Sequence, residues 1–216
     1  MTSNDTSVNR QPDAPRRRGA FRRWKLPSGG GASRFLHDLV YKRYRYRQFV
    51  TIAFIVLLTI VGEPARWPML FVPGAVLIVI GELIRFWAAG HVKKDKTLAT
   101  TGPYNFVRHP LYVGNHLALI GFCLVSGWWW SWIGWLVIAI FFYPSAINHE
   151  DTVLHNLFGK DWEAWRAKVH ALIPRLTPYQ RSERGEWSLR QCHHNGELII
   201  GAWLIASLVI LALRLP

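Results

Sequence analysis

Cysteine is almost missing from this chain of 216 residues, with Cys123 and Cys192 the only two. That excludes a disulfide scaffold and a four-cysteine zinc module. Charge is scarce as well. Only 18% of residues are charged, and 13 Asp or Glu stand against 26 Lys or Arg, a net charge of +13. Half the residues are hydrophobic and twelve are tryptophan. A membrane protein has that composition; a soluble basic domain built to grip nucleic acid does not. No apolar run begins before Phe49, which is too late for a signal peptide. The length suits one domain.

The positive charge is segregated, with 12 of the 26 Lys and Arg before Gln48. Residues 1–34 are rich in Ser, Asn, Pro, Gly and Arg, as in Arg16-Arg17-Arg18 and Gly29-Gly30-Gly31. Such a segment buries too little apolar surface to offset its ordering entropy, so a disordered basic tail is expected. It has few aromatics and no nucleic-acid-binding module, so its expected contact is anionic lipid and no nucleic-acid partner is expected.

Five apolar stretches follow, at 48–62, 69–90, 110–127, 128–147 and 198–213. A helix needs roughly 20 residues to cross the hydrocarbon, and flanking aromatics or snorkelling Lys and Arg complete the shorter runs. The expected fold is therefore all-α: a polytopic membrane helical bundle of about five transmembrane helices over residues 35–216. The third and fourth runs nearly touch at Ser126-Gly127-Trp128 and predict a tight hairpin. With the N-terminus cytoplasmic, the inner segments hold 12, 4 and 7 Lys or Arg, against Arg66 and Arg214 outside. That asymmetry sets the expected orientation. Trp128, Trp129, Trp130 and Trp132 then form an outer interfacial belt.

Polar groups within or beside these spans mark functional positions. Glu82 and Arg85 lie toward the inner end of the second span, where an i,i+3 ion pair is the simpler reading. Arg108, His109, Asn115 and His116 open the third, and His149, Glu150 and Asp151 follow the fourth. Three spans thus deliver polar groups to one membrane face. Pro110 suits a first helical turn, so Arg108 and His109 stand at a helix N-terminus, a place for a carboxylate or phosphate. Gly114, one turn on, allows a flat group to approach the backbone. Glu150 and Asp151 offer negative charge to a cation. A ligand with carboxylate, ammonium and a positive centre suits the set, and S-adenosylmethionine is such a ligand.

The run Gly102-Pro103-Tyr104, Arg108-His109-Pro110, Tyr112 and Gly114 resembles the signature of the isoprenylcysteine carboxyl methyltransferase and phospholipid methyltransferase superfamily. A second segment is similar to its C-terminal pattern: Glu150-Asp151, Leu154, Phe158-Gly159, Trp162, Trp165, Val169 and Pro174-Arg175-Leu176. Leu83, Arg85, Trp87 and Ala88 match a weaker upstream pattern, so the resemblance spans roughly residues 69–177. It implies an integral-membrane, S-adenosylmethionine-dependent methyltransferase whose cofactor pocket faces the cytoplasm. Gly102, Tyr104, His109, Tyr112, Gly114, Glu150 and Asp151 would hold the cofactor. Arg108 and Glu150 would serve the reaction. Three features depart from the pattern. Asp151 stands where glutamate is usual, Trp162 and Trp165 replace commoner tyrosines, and the span at 198–213 follows the point where the chain should end.

Methyl transfer from a sulfonium asks the protein mainly to position two reactants and exclude water. A carboxylate acceptor needs no base; for an amine or thiol, His109, His116 or Glu82 are the candidate proton acceptors. The expected partner is a lipid or lipid-linked acceptor, and the expected location is the bacterial inner membrane or the endoplasmic reticulum. His109 and His116 lie about two helical turns apart, but the spaced histidine boxes of a membrane di-iron enzyme are absent, and no metal is expected. The alternatives are an NADPH-dependent enzyme like the membrane sterol reductases, which share a related Arg-His entry, and a non-enzymatic protein that binds anionic lipid.

Overall fold

A computed structural model describes residues 43–93, 97–180 and 185–216. The basic tail expected at 1–34 lies outside the described residues. Every regular element among them is helical: α1 (Arg43–Val61), two 3-10 turns at Pro64–Arg66 and Pro68–Leu70, α2 (Phe71–His91), a 3-10 turn at Gly102–Asn105, and α3 (Pro110–Val125). Helix α4 (Ser131–Val137) runs through a π segment (Ile138–Phe142) into α5 (Tyr143–Phe158). Short helices α6 (Lys160–Arg166) and α7 (Leu189–His194) precede α8 (Glu197–Ala212).

Arg43–Val61, Pro68–His91 and Ser131–Phe158 are long and apolar enough to cross a membrane, while Pro110–Val125 and Glu197–Ala212 are shorter apolar helices. The five expected spans are present as five apolar helices. Their outer faces carry large apolar side chains, such as Ile60 at 65%, Leu83 at 61% and Ile199 at 77% exposure. Lipid covers such a surface; water does not. The protein is an integral membrane protein.

The first helix includes Arg43–Arg47, so flanking tyrosines and arginines complete the short run at 48–62. One expected boundary is corrected. The fourth span does not stop at residue 147. It runs to Phe158 and ends at Gly159, whose φ of 51° suits glycine. His149, Glu150 and Asp151 therefore sit on a helix wall, not on a frayed end beyond it.

Helices α2 and α3 pack antiparallel through paired glycines seven residues apart. A Cβ at Gly81 would meet the Gly114 carbonyl oxygen at 2.6 Å, and one at Gly121 would meet that of Gly74 at 2.5 Å. Only hydrogen at these four positions lets the backbones approach so closely. Gly127, at φ 60°, turns the chain between α3 and α4 as the hairpin expectation requires. The helix ends gather at two poles. At one, the Glu63 amide donates to the Ser126 carbonyl at 2.7 Å and the Arg214 guanidinium donates to the Ile60 carbonyl at 2.9 Å. At the other, the segment before α3 is stitched to the segment after α6: Arg108 N–H donates to His170 at 2.9 Å, His109 N–H to Ala171 at 3.1 Å and Tyr179 N–H to Asn105 at 3.0 Å. A small second core of Ala88, Tyr104, Trp162, Trp165 and Val169 sits beneath this cap.

Candidate functional site

A cavity of about 540 Å³ opens at the capped pole, lined from α1, α2, α3, α5 and α8 and by the loop before α3. That volume is in the range of small-molecule sites. The two signature segments meet at its wall. His109 and Asp151, 42 positions apart in sequence, hydrogen-bond through Nε2 and Oδ1 at 3.1 Å. His109 Nδ1 lies 3.4 Å from Glu150 Oε2. Tyr112 donates its hydroxyl to Glu150 Oε1, and the Tyr112 ring stacks on His109 with centroids 5.4 Å apart. Arg108 pairs with Asp151 at 3.2 Å.

Of the polar residues singled out from the sequence, Arg85, Tyr104, Arg108, His109, Tyr112, Asn115, His149 and Glu150 line this cavity. Asp151 stands behind them, buried, where it fixes Arg108 and His109. Gly114 faces elsewhere: a Cβ there would meet the Gly81 carbonyl at 2.5 Å and Arg85 Cγ at 2.6 Å. The close approach it permits is that of α2. Gly102, at φ 59°, backs onto the His91 ring. The amides of Arg108 and His109, expected to face an anion, are spent on the carbonyls of His170 and Ala171. His116 packs on Tyr143 with centroids 4.2 Å apart. Neither His116 nor Glu82 lines the cavity, so His109 is the one of the three candidate proton acceptors that does.

The electrostatics fix the state of this corner. Burial lowers the Arg108 pKa against the pull of Asp151, and burial raises that of Tyr104, keeping its phenol neutral. For His109, burial opposes the charged ring, but hydrogen bonds to Asp151 and Glu150 more than offset it, so its pKa lies above the ordinary 6.5. A group whose folded-state pKa is raised gives stability that is complete below the ordinary value and is lost as pH rises through the raised one. Melting of the detergent-solubilised protein should therefore shift downward across that rise, and His109→Gln should flatten the profile. Parallel profiles for the two proteins would contradict the assignment.

Among the cavity residues that the sequence does not single out are Arg47, Thr51 and Glu197. Arg47 is the last of the 12 Lys and Arg before Gln48, and its spacing from Thr51 and Ile55 is that of one helical face. Its guanidinium lies 4.1 Å over the Tyr112 ring and 3.8 Å from Glu150 Oε1. Glu197 opens α8 and binds Arg85 at 2.7 Å, deep against α2. Arg85 also donates to Asn115 and lies 3.4 Å from Glu82. The expected i,i+3 pair is present, but its stronger counter-charge comes from the last helix. That helix, unexplained by the sequence, also brings Ile200, Trp203 and Leu204 to the cavity.

Residues 68–161 match the phospholipid methyltransferase family. The chain is 28% identical over 193 residues to the cobalt-zinc-cadmium resistance protein CzcN of Cupriavidus metallidurans, covering 83% of this chain and 85% of that one. It is 28% identical over 157 residues to the nickel-cobalt-cadmium resistance protein NccN of Alcaligenes xylosoxydans, covering 68% and 71%. It is also 29% identical over 104 residues to the protein-S-isoprenylcysteine O-methyltransferase of Schizosaccharomyces pombe, covering 48% and 44%. No solved structure matches. No group of three or more His, Cys, Asp or Glu among the described residues is arranged to hold a metal ion.

Proposed function

We propose that this chain, a membrane methyltransferase whose residues 68–161 match the phospholipid methyltransferase family, takes its methyl group from S-adenosylmethionine and passes it to an acceptor with a lipid or similarly apolar tail. The observation that supports this most is the meeting of both signature segments on one cavity wall. The donor set fits the cofactor's chemistry. Glu150, held by Tyr112 and His109, is a half-exposed carboxylate beside an aromatic face, a setting that favours a cation. Arg108 offers a guanidinium for a carboxylate, and its Nε has no hydrogen-bond partner.

When bound, the cofactor supplies a methyl group already activated by a positive sulfur. The protein's part is then positioning and exclusion of water. Asp151 holds Arg108 and His109 from behind, so their side chains meet a ligand in one geometry. Away from the charged wall the cavity is lined by Ile52 and Ile55 of α1 and by Ile200, Trp203 and Leu204 of α8. An apolar tail is at home there, and an acceptor would enter between these helices. For a carboxylate acceptor no proton moves; for an amine or thiol, His109 is the group in place to take one. The charge asymmetry of the loops supports a cytoplasmic N-terminus, which puts this wall on the cytoplasmic side.

Calorimetry on the purified protein in detergent tests the reading. S-adenosylmethionine should bind and NADPH should not. Glu150→Gln should weaken that binding by about tenfold or more, since it removes the charge facing the cation. Unchanged affinity in the variant would remove Glu150 from the site, and failure of the wild type to bind would end the proposal.

A further inference from the structure

Three arginines line the cavity, and two of them have a carboxylate close at hand. Arg85 is held by Glu197 at 2.7 Å, with Glu82 and Asn115 beside it, and Arg108 by Asp151 at 3.2 Å. Arg47 differs. Among the described residues its nearest carboxylate oxygen, on Glu150, is 3.8 Å away, and its Nη1, like the Nε of Arg85 and of Arg108, is buried without a hydrogen-bond partner. The guanidinium lies over the Tyr112 ring, its carbon 4.1 Å from the centroid. A delocalised cation between an aromatic face and a carboxylate occupies a seat whose chemistry suits any soft cation. It is the same carboxylate and the same ring that the proposed cofactor site presents.

We infer that Arg47 is a resident cation of the cofactor site, which holds Glu150 and Tyr112 in the free protein and competes with the sulfonium for that seat. The inference rests on the S-adenosylmethionine reading above and extends it to a residue outside the family match, which begins at residue 68. Arg47 is then a positioning residue. It keeps a half-exposed carboxylate compensated and the pocket's shape preformed, and it is loosely enough held to give way.

Competition of this kind has a sign that a purely structural role does not share. S-adenosylmethionine and S-adenosylhomocysteine differ at the sulfur, which is cationic in the first and neutral in the second. Calorimetry on the full chain in detergent should find that Arg47→Gln binds S-adenosylmethionine about fivefold more tightly than the wild type, from the loss of one cation–π and charge contact. Affinity for S-adenosylhomocysteine should stay within about twofold, since no charge competes with it. Arg47→Met, which keeps the apolar stem, should behave the same way and serves if the glutamine variant folds poorly. Arg47→Lys should retain the wild-type ratio of the two affinities. Weaker binding of S-adenosylmethionine in the neutral variants, or an equal change for both ligands, would overturn the inference. A wild-type protein that binds neither ligand would fail the underlying function instead.

Discussion

Replacing Glu197 with alanine should cost about 3–5 kcal/mol of stability, the range for removing one partner of a buried ion pair. Its side chain is 4% exposed and that of Arg85 is 8%, with the two charges 2.7 Å apart. Alanine would leave the Arg85 guanidinium between α2 and α8 with Glu82 at 3.4 Å and Asn115 as its partners. Glu197→Gln preserves the shape and one hydrogen bond and should be milder. Replacing Arg85 with methionine and both Glu82 and Glu197 with glutamine should recover part of the loss, because no lone buried charge of this cluster then remains. Unfolding in mixed detergent micelles measures all three. A Glu197→Ala protein as stable as the wild type would mean that α8 is held by its apolar face alone.

The second large effect is expected at the α2–α3 contact. Gly81→Ala puts a methyl 2.6 Å from the Gly114 carbonyl oxygen and 2.9 Å from the Ala118 nitrogen. Both are backbone atoms, so no side chain can swing aside and the helices must separate. Overpacking of this kind costs about 1–3 kcal/mol, and Gly81→Leu should exceed that range. Separation would also draw Arg85 away from Asn115, so ligand affinity should fall with stability. Loss of stability with unchanged affinity would show that the cavity does not depend on this contact. Substitutions at the exposed Leu83, on the same helix but facing outward at 61% exposure, should have little effect.

The sequence made the five apolar helices readable because each is a continuous run bounded by Gly, Pro or charge. It also made readable the pole at which chemistry gathers, since Arg108, His109, Glu150 and Asp151 are costly residues beside membrane spans. What stayed hidden were partnerships. Arg47 reads as the end of a basic tail until α1 turns its guanidinium onto Tyr112. Glu197 sits at the edge of an apolar run and looks like a flank, because nothing local reveals that Arg85 lies 112 positions upstream in sequence and beside it in space. Gly114 was readable as a place of close approach but not as to what approaches; the neighbour is the Gly81 backbone. Asp151 was readable as negative charge near a ligand, whereas its neighbours are Arg108 and His109. Local pattern fixes the helices and their faces. Pairings between distant faces are set only by packing.

The Arg85–Glu197 pair also bears on how the chain is made. Arg85 is synthesised 112 residues before the carboxylate that neutralises it, so a nascent chain places a guanidinium in the bilayer while its main counter-ion does not yet exist. Glu82, one turn earlier, stands in until then. Closure of α8 onto α2 is thus the step that completes the charge balance: until residue 197 is in place, the Arg85 guanidinium has Glu82 and Asn115 as its partners.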